Sequence, residues 1–118
     1  MARPTIPTEP AGSLEEQFQN NTLRPILKQQ NEHLIMTFRF FLIKRKTRWE
    51  KFDALKREAH IRHSVRKDRE LRQLLFGLIL GQCTIEELHI YYSNEAPLRR
   101  RLGKLIEQRL IDQLGGIG

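Results

Sequence analysis

The sequence predicts an all-α protein, and three observations lead there. Apolar residues recur at steps of three, four and seven over long stretches, as one buried face of a helix requires. No segment alternates apolar and polar residues at period two, and no Asn-Gly or Asp-Gly hairpin turn occurs. Helix-start signals precede the periodic segments, the clearest being Thr84-Ile-Glu-Glu87. Four main helices are expected, over about 23–52, 54–80, 84–92 and 95–114, packed as a small bundle. They form one domain over 13–114, between a disordered arm at 1–12 and a flexible tail at 115–118.

The arm has three prolines and no usable periodicity. Ser13-Leu-Glu-Glu16 follows the capping-box pattern and starts a short helix through Phe18, which Asn20-Asn21-Thr22 interrupts. Thr22 caps the next helix. Pro25 is tolerated in that helix's first turn, where an amide would lack a helical partner anyway. After Pro25 there is no glycine or proline through Phe52, so one long helix is expected. Leu27, Leu34, Phe38, Phe41 and Leu42 share one face of it, whereas Met36, Phe40 and Ile43 fall on the opposite side. Eight of the ten residues from Leu34 to Ile43 are apolar. A helix apolar on two faces lies between two layers, or it buries one face in a partner chain.

Asp53 opens the next helix as an N-cap or kink. The first half is basic, with Ala54, Ile61 and Val65 as a thin apolar stripe. The second half, Leu74 to Leu80, is almost wholly apolar and is expected to be the central core element. Gly77 within it costs roughly 1 kcal/mol relative to alanine, which points to a close helix crossing. Gly81 is expected to end the helix in the left-handed conformation. The Thr84 capping box then starts a short helix to Tyr91 or Tyr92. Ser93-Asn94 breaks it and caps the last helix, with Pro97 in the first turn. Leu98, Leu102, Leu105, Ile106, Leu110 and Ile111 give that helix a regular stripe to about Leu114. Gly115, Gly116 and Gly118 make the tail flexible.

Composition narrows the class. Of 118 residues, 21 are Lys or Arg and 14 are Asp or Glu, a formal charge of +7. Residues 1–38 carry three basic and four acidic side chains, and residues 73–118 carry five of each. The segment Arg39 to Arg72 holds 13 basic and five acidic residues, a net of +8. The excess therefore lies in the middle third, as on a face for phosphates, for an acidic partner, or for solvent alone. The one cysteine, Cys83, excludes an intramolecular disulfide framework. No apolar run approaches the ~20 residues of a membrane-spanning helix. A soluble, cytoplasmic protein is expected.

The residues offer little catalytic chemistry. There is no glycine-rich phosphate loop and no G-x-S-x-G elbow. Glu86 and Glu87 are adjacent, so they point to different sides of a helix and form no acid/base pair. His60 and His63 have a metal-compatible spacing, yet no third ligand stands near them in sequence. Neither a metal nor another cofactor is implied. Cys83 precedes a helix N-terminus, where the dipole can lower a thiol pKa, but a buried, inert cysteine is the better reading. Lys44-Arg45-Lys46-Thr47-Arg48-Trp49 sets four cations beside an indole. Those cations can neutralise phosphates while Trp49 stacks on a base, or Trp49 completes the core while the cations reach water. Arg62, Arg66 and Arg69 extend this basic face. Arg99-Arg100-Arg101 lie in the first turns of the last helix, where cations oppose the dipole and an external anion or Glu95 is a natural partner.

Leu78-Ile-Leu80, Thr84-Ile-Glu-Glu-Leu88, the turn at Ser93-Asn94, the stretch Leu98 to Ile106, and Glu107-Gln-Arg-Leu-Ile111 follow one another in a familiar order. Residues 74–111 thereby resemble the helix-turn-helix core of winged-helix DNA-binding regulators. His89 stands where that family has a small residue. The resemblance implies that Arg99, Arg100 and Arg101 face a DNA backbone or groove.

The expected function is non-enzymatic binding of nucleic acid through Lys44, Arg45, Lys46, Arg48, Trp49, Arg62, Arg66, Arg69, Arg99, Arg100 and Arg101. The chain is expected to act as a homo-oligomer or within an assembly, with Met36, Phe40 and Ile43 as interface. The alternative is a helical adaptor that docks on an acidic protein partner or an anionic surface.

Overall fold

The computed structural model describes residues 12–115, all of whose regular structure is helical. The expected all-α bundle is found, built from six helices among the described residues in place of four. Helix α1 spans 14–29, with a wide π turn at Gln19–Leu23 between Leu14–Phe18 and Arg24–Gln29. Helices α2, α3, α4 and α5 are Asn31–Lys44, Ala54–Lys67, Arg69–Leu80 and Ile85–Ser93. Helix α6 spans 95–115, α-helical over Glu95–Leu110 and closed by a π turn at Ile111–Gly115. The bundle measures 45 × 27 × 25 Å, and among the described residues no helix is long and apolar enough to cross a membrane. The arm expected at 1–12 lies outside the described residues except for Gly12, as do tail residues 116–118.

Both long helices of the sequence reading are divided. The one expected over 23–52 bends at Gln30, whose backbone leaves the helical basin at φ −94°, ψ 14°. It then stops at Lys44, eight residues early. Lys46 adopts a left-handed φ of 56°. The Thr47 amide donates to the Leu42 carbonyl at 2.9 Å and the Lys46 amide to Ile43 at 3.0 Å, the bond pair of a Schellman ending. Lysine occupies the place that glycine usually takes, so no glycine in the sequence marks the stop. The helix expected over 54–80 is cut at Asp68, which is extended at φ −83°, ψ 99°. Its carboxylate accepts the Leu71 amide at 3.2 Å and so caps the second piece.

Other start signals hold. Ser13, Asp53 and Thr84 each accept an amide three residues on, from Glu16, Lys56 and Glu87. Thr84 and Glu87 complete the reciprocal box, as the Thr84 amide donates to the Glu87 carboxylate at 2.8 Å. Asn20-Asn21-Thr22 does not break the chain but widens one helical turn. Thr22 caps nothing: it is buried, and its hydroxyl donates to Glu87 at 3.4 Å. Asn94 likewise makes no side-chain cap for α6, because its amide donates backward to the Ile90 carbonyl.

Helix α6 is the axis of the core. Leu98, Leu102, Ile106 and Leu110 are fully buried along it, each contributing about 1.5–3 kcal/mol by leaving water. Ile61 and Val65 of α3, Leu71, Leu75 and Ile79 of α4, and Leu34, Phe38 and Phe41 of α2 belong to the same cluster. The face of α2 assigned to the core is therefore the buried one.

Three glycines behave differently from expectation. Gly81 is right-handed (φ −65°, ψ −16°), and its amide simply continues the helix to Gly77 at 2.9 Å. Gly115 is buried: a Cβ there would sit 3.3 Å from Ile111 and 3.7 Å from Ile61, so packing fixes it. Gly77 is exposed, with open space where a Cβ would go, and no helix crosses it. The small residue facing α4 is Gly103 of α6, where a Cβ would stand 3.6 Å from the Phe76 ring. Gly77→Ala should therefore stabilise the fold by about 0.5–1 kcal/mol, since it meets no clash and restricts the unfolded chain. Urea unfolding checks this; a destabilised variant would restore the close crossing.

Candidate functional site

The basic residues divide by what they touch. Lys44 and Arg45, at the end of α2, are engaged with the start of α4. Arg45 donates to both oxygens of Asp68 at 2.9 and 3.0 Å and to Glu70 at 2.9 Å, while Lys44 reaches Glu70 at 3.0 Å. The Arg45 hydrogen bonds hold the Asp68 carboxyl below its usual range, and Lys44 does the same for Glu70. Arg62 and Arg66 of α3 converge on Glu107 of α6. Arg66 is bidentate at 3.0 and 3.1 Å, and Arg62 joins at 3.3 Å. The Glu107 side chain is only 3% exposed. These four cations serve the fold's own carboxylates.

Five cations meet where α3, α4 and α6 come together. Arg66, Lys67, Arg69, Arg72 and Arg99 line a shallow groove of about 390 Å³, and no carboxylate is among its lining residues. Arg72 is held from below, with its guanidinium 4.6 Å from the Phe76 ring centre and donating to the Val65 carbonyl at 3.3 Å. Burial, and next the charge of Arg99, push its pKa down, against the opposing charges of Tyr91, Glu107 and Glu95. Arg99 has only a long contact to Glu95, at 3.8 Å. Lys67 and Arg69 flank the Asp68 corner, exposed and without a carboxylate partner among the described residues.

The remaining assigned residues lie elsewhere. Arg100 and Arg101 line a second groove on α6 with Lys104 and Gln19, where Arg101 donates to Gln19 at 2.9 Å. Lys46 and Arg48 project from the loop after α2, exposed and unpaired among the described residues. Trp49 is half-buried. It packs edge-on to Phe38 at 5.7 Å, beside Phe52 and His60, with the Arg57 guanidinium 5.0 Å over its ring. Met36, Phe40 and Ile43 are 71%, 56% and 78% exposed on the outer side of α2. The sequence reading omitted Lys67 and Arg72, whose only signal was membership of the basic segment.

Among the described residues no cluster of three or more His, Cys, Asp or Glu could hold a metal. His60 and His63 instead line a cavity of about 520 Å³ floored by Phe38, Phe41 and Leu71. Cys83 is half-buried, with its sulfur 4.0 Å from the Ile79 carbonyl. No family model matches the chain, and no curated protein or solved structure is significantly similar to it.

His60 and the carboxyls of Asp68 and Glu70, all three held below their ordinary values, set a pH dependence. Burial, and secondarily the charge of His63, lower the His60 pKa from its ordinary 6.5. Below pH 6.5 the unfolded chain takes up this proton and the folded one resists it, so stability falls until the folded value is passed. Asp68 titrates below its ordinary 3.8, so its contribution is present above that value and is lost as pH falls through the lower one. The thermal midpoint should therefore drop between pH 7 and 5, and again below pH 4. His60→Phe, which suits the aromatic surroundings, should shrink the first drop and leave the second. An unchanged first drop would mean that another group causes it.

Proposed function

We propose that the chain is a non-enzymatic nucleic-acid-binding protein that holds phosphates with the cations its own carboxylates leave unmatched. The observation that supports this reading is the groove of Arg66, Lys67, Arg69, Arg72 and Arg99, in which Arg66 holds Glu107 and Arg99 makes a long contact to Glu95, while Lys67 and Arg69 have no carboxylate partner among the described residues. Lys67, Arg69 and Arg72 leave this place with an excess of positive charge, which an external polyanion stabilises. Arg100 and Lys104 on one side, and Lys46 and Arg48 on another, extend the positive surface. Under the helix-turn-helix resemblance the last helix meets DNA, so Arg99 has the same role in both views. Lys44, Arg45 and Arg62 are best read as structural, given the carboxylates they hold.

With about five phosphate contacts, affinity for a DNA or RNA oligonucleotide should fall by roughly 10²–10³ between 50 and 200 mM salt. Filter binding measures this. No retention of either polymer at 50 mM salt would end the reading.

A second reading has its own support in the exposed Met36, Phe40 and Ile43. Three large apolar side chains on one helix face fit self-association or docking on a protein partner. If this face joins two copies, the purified chain sediments above its monomer mass, and the double substitution Phe40→Glu, Ile43→Glu returns it to monomer. Identical sedimentation of both proteins removes α2 as a self-association surface.

A further inference from the structure

Lys67 and Arg69 border a second hollow besides the cationic groove, the cavity of about 520 Å³ lined by α2, α3 and α4. Its volume lies in the range of small-molecule sites, about 300–1,000 Å³. The pattern behind it is local. His60, His63, Ser64 and Lys67 follow one another at steps of three, one and three, so they share one face of α3, while Ile61 and Val65 turn into the core. That polar face lines the cavity together with the last two turns of α2 and the first turn of α4.

The lining has two chemical parts. Phe38, Phe41 and Leu71 close the floor, where water finds no hydrogen-bond partner. Around the floor stand polar groups whose charge does not balance. Asp68 and Glu70 are the carboxylates of the lining, and Arg45 holds each of them at 2.9 Å. Lys67 and Arg69 are exposed and have no carboxylate partner among the described residues. The His60 ring is held by Trp49 and Phe52, edge-on at 6.1 and 5.6 Å. Burial lowers its pKa, so it is uncharged at neutral pH and adds ring surface to the wall. An inorganic anion here would satisfy the cations and leave the floor wet, and a neutral apolar molecule would do the reverse. A molecule that joins an apolar body to an anionic end satisfies both parts.

We propose that this cavity is a seat for a small organic anion, with its apolar body over Phe38, Phe41 and Leu71 and its oxyanion on Lys67 and Arg69. The seat does not depend on the nucleic-acid reading, although it draws on two of the same cations.

The test is titration of the full chain with anilinonaphthalene sulfonate and with phenylnaphthylamine, the same body without the sulfonate, read by the fluorescence each gains on leaving water. The sulfonate should bind about tenfold more tightly than the neutral probe, as one charge-assisted hydrogen bond implies. Lys67→Ala with Arg69→Ala should weaken the sulfonate about tenfold and change the neutral probe less than about twofold. Ser64→Phe, which fills the cavity from α3, should weaken both about tenfold, because the shared body loses its space. Should Ser64→Phe fail to fold, the two-cation variant still decides, since exposed Lys67 and Arg69 take no part in the core. Sulfonate affinity within about twofold of wild type in the two-cation variant overturns the seat. So does sulfonate binding that is lost instead in Phe40→Glu, Ile43→Glu, which would put the probe on the outer face of α2.

Discussion

The architecture depends on the carboxylate of Asp68. Its residue leaves the helical basin and so separates α3 from α4. Its oxygens cap the new helix at Leu71 and take a two-pronged hydrogen bond from Arg45. Without this corner, residues 54–80 would form a single rod of about 40 Å at 1.5 Å per residue. Ile61 and Val65 could not then share a core with Leu75 and Ile79, as they do around α6. The corner also determines the surface. Arg66 and Lys67 precede it and Arg69 and Arg72 follow it, so a bend made for packing gathers cations that a straight helix would have spread along its length.

Electrostatic strength then sorts the cations by role. An exposed pair such as Lys44–Glu70 is screened by water and contributes little to stability. Glu107 differs, because its side chain is almost wholly removed from water and two guanidiniums close over it. Removing either guanidinium leaves this buried carboxylate with one partner fewer, which costs more than the loss of a surface pair. Arg66 therefore works from both sides, binding Glu107 and lining the groove, and it forms the groove's fixed edge. Lys67 and Arg69 have no such anchor and can follow a ligand. Arg72 lies between these cases, immobilised on Phe76 yet facing another guanidinium.

The parts legible in the sequence are those written in local chemistry. Thr84 and Glu87 announce a helix because both halves of the capping box lie within four residues, and the stripe from Leu98 to Ile111 announces a buried face. The helix ends were harder, because the usual markers were absent or misplaced. Lys46 takes a left-handed position without being glycine, Gly81 is glycine without being left-handed, and Gln30 bends the chain with no proline or glycine nearby. Asp68 could have been read as a cap, with Glu70 in the following turn, but a continuous helical pattern ran through it. At the site, the total charge and its location were plain. What sequence could not supply was the subtraction: which cations Asp68, Glu70 and Glu107 consume is settled by contacts spanning 23 to 45 residues.

The apolar face of α2 and the cationic groove are built from different helices. This matters for how the two readings relate. A single groove with four or five phosphate contacts gives salt-sensitive and modest affinity, because each contact is a weak exchange of one counterion for another. If Met36, Phe40 and Ile43 join two copies, two grooves are carried on one particle. The second engagement of a long strand becomes intramolecular, and avidity rises without a new contact. Association through α2 would then be the means by which a chain of this size, using generic phosphate contacts, holds a polymer firmly. A monomer with the same groove would exchange rapidly along it.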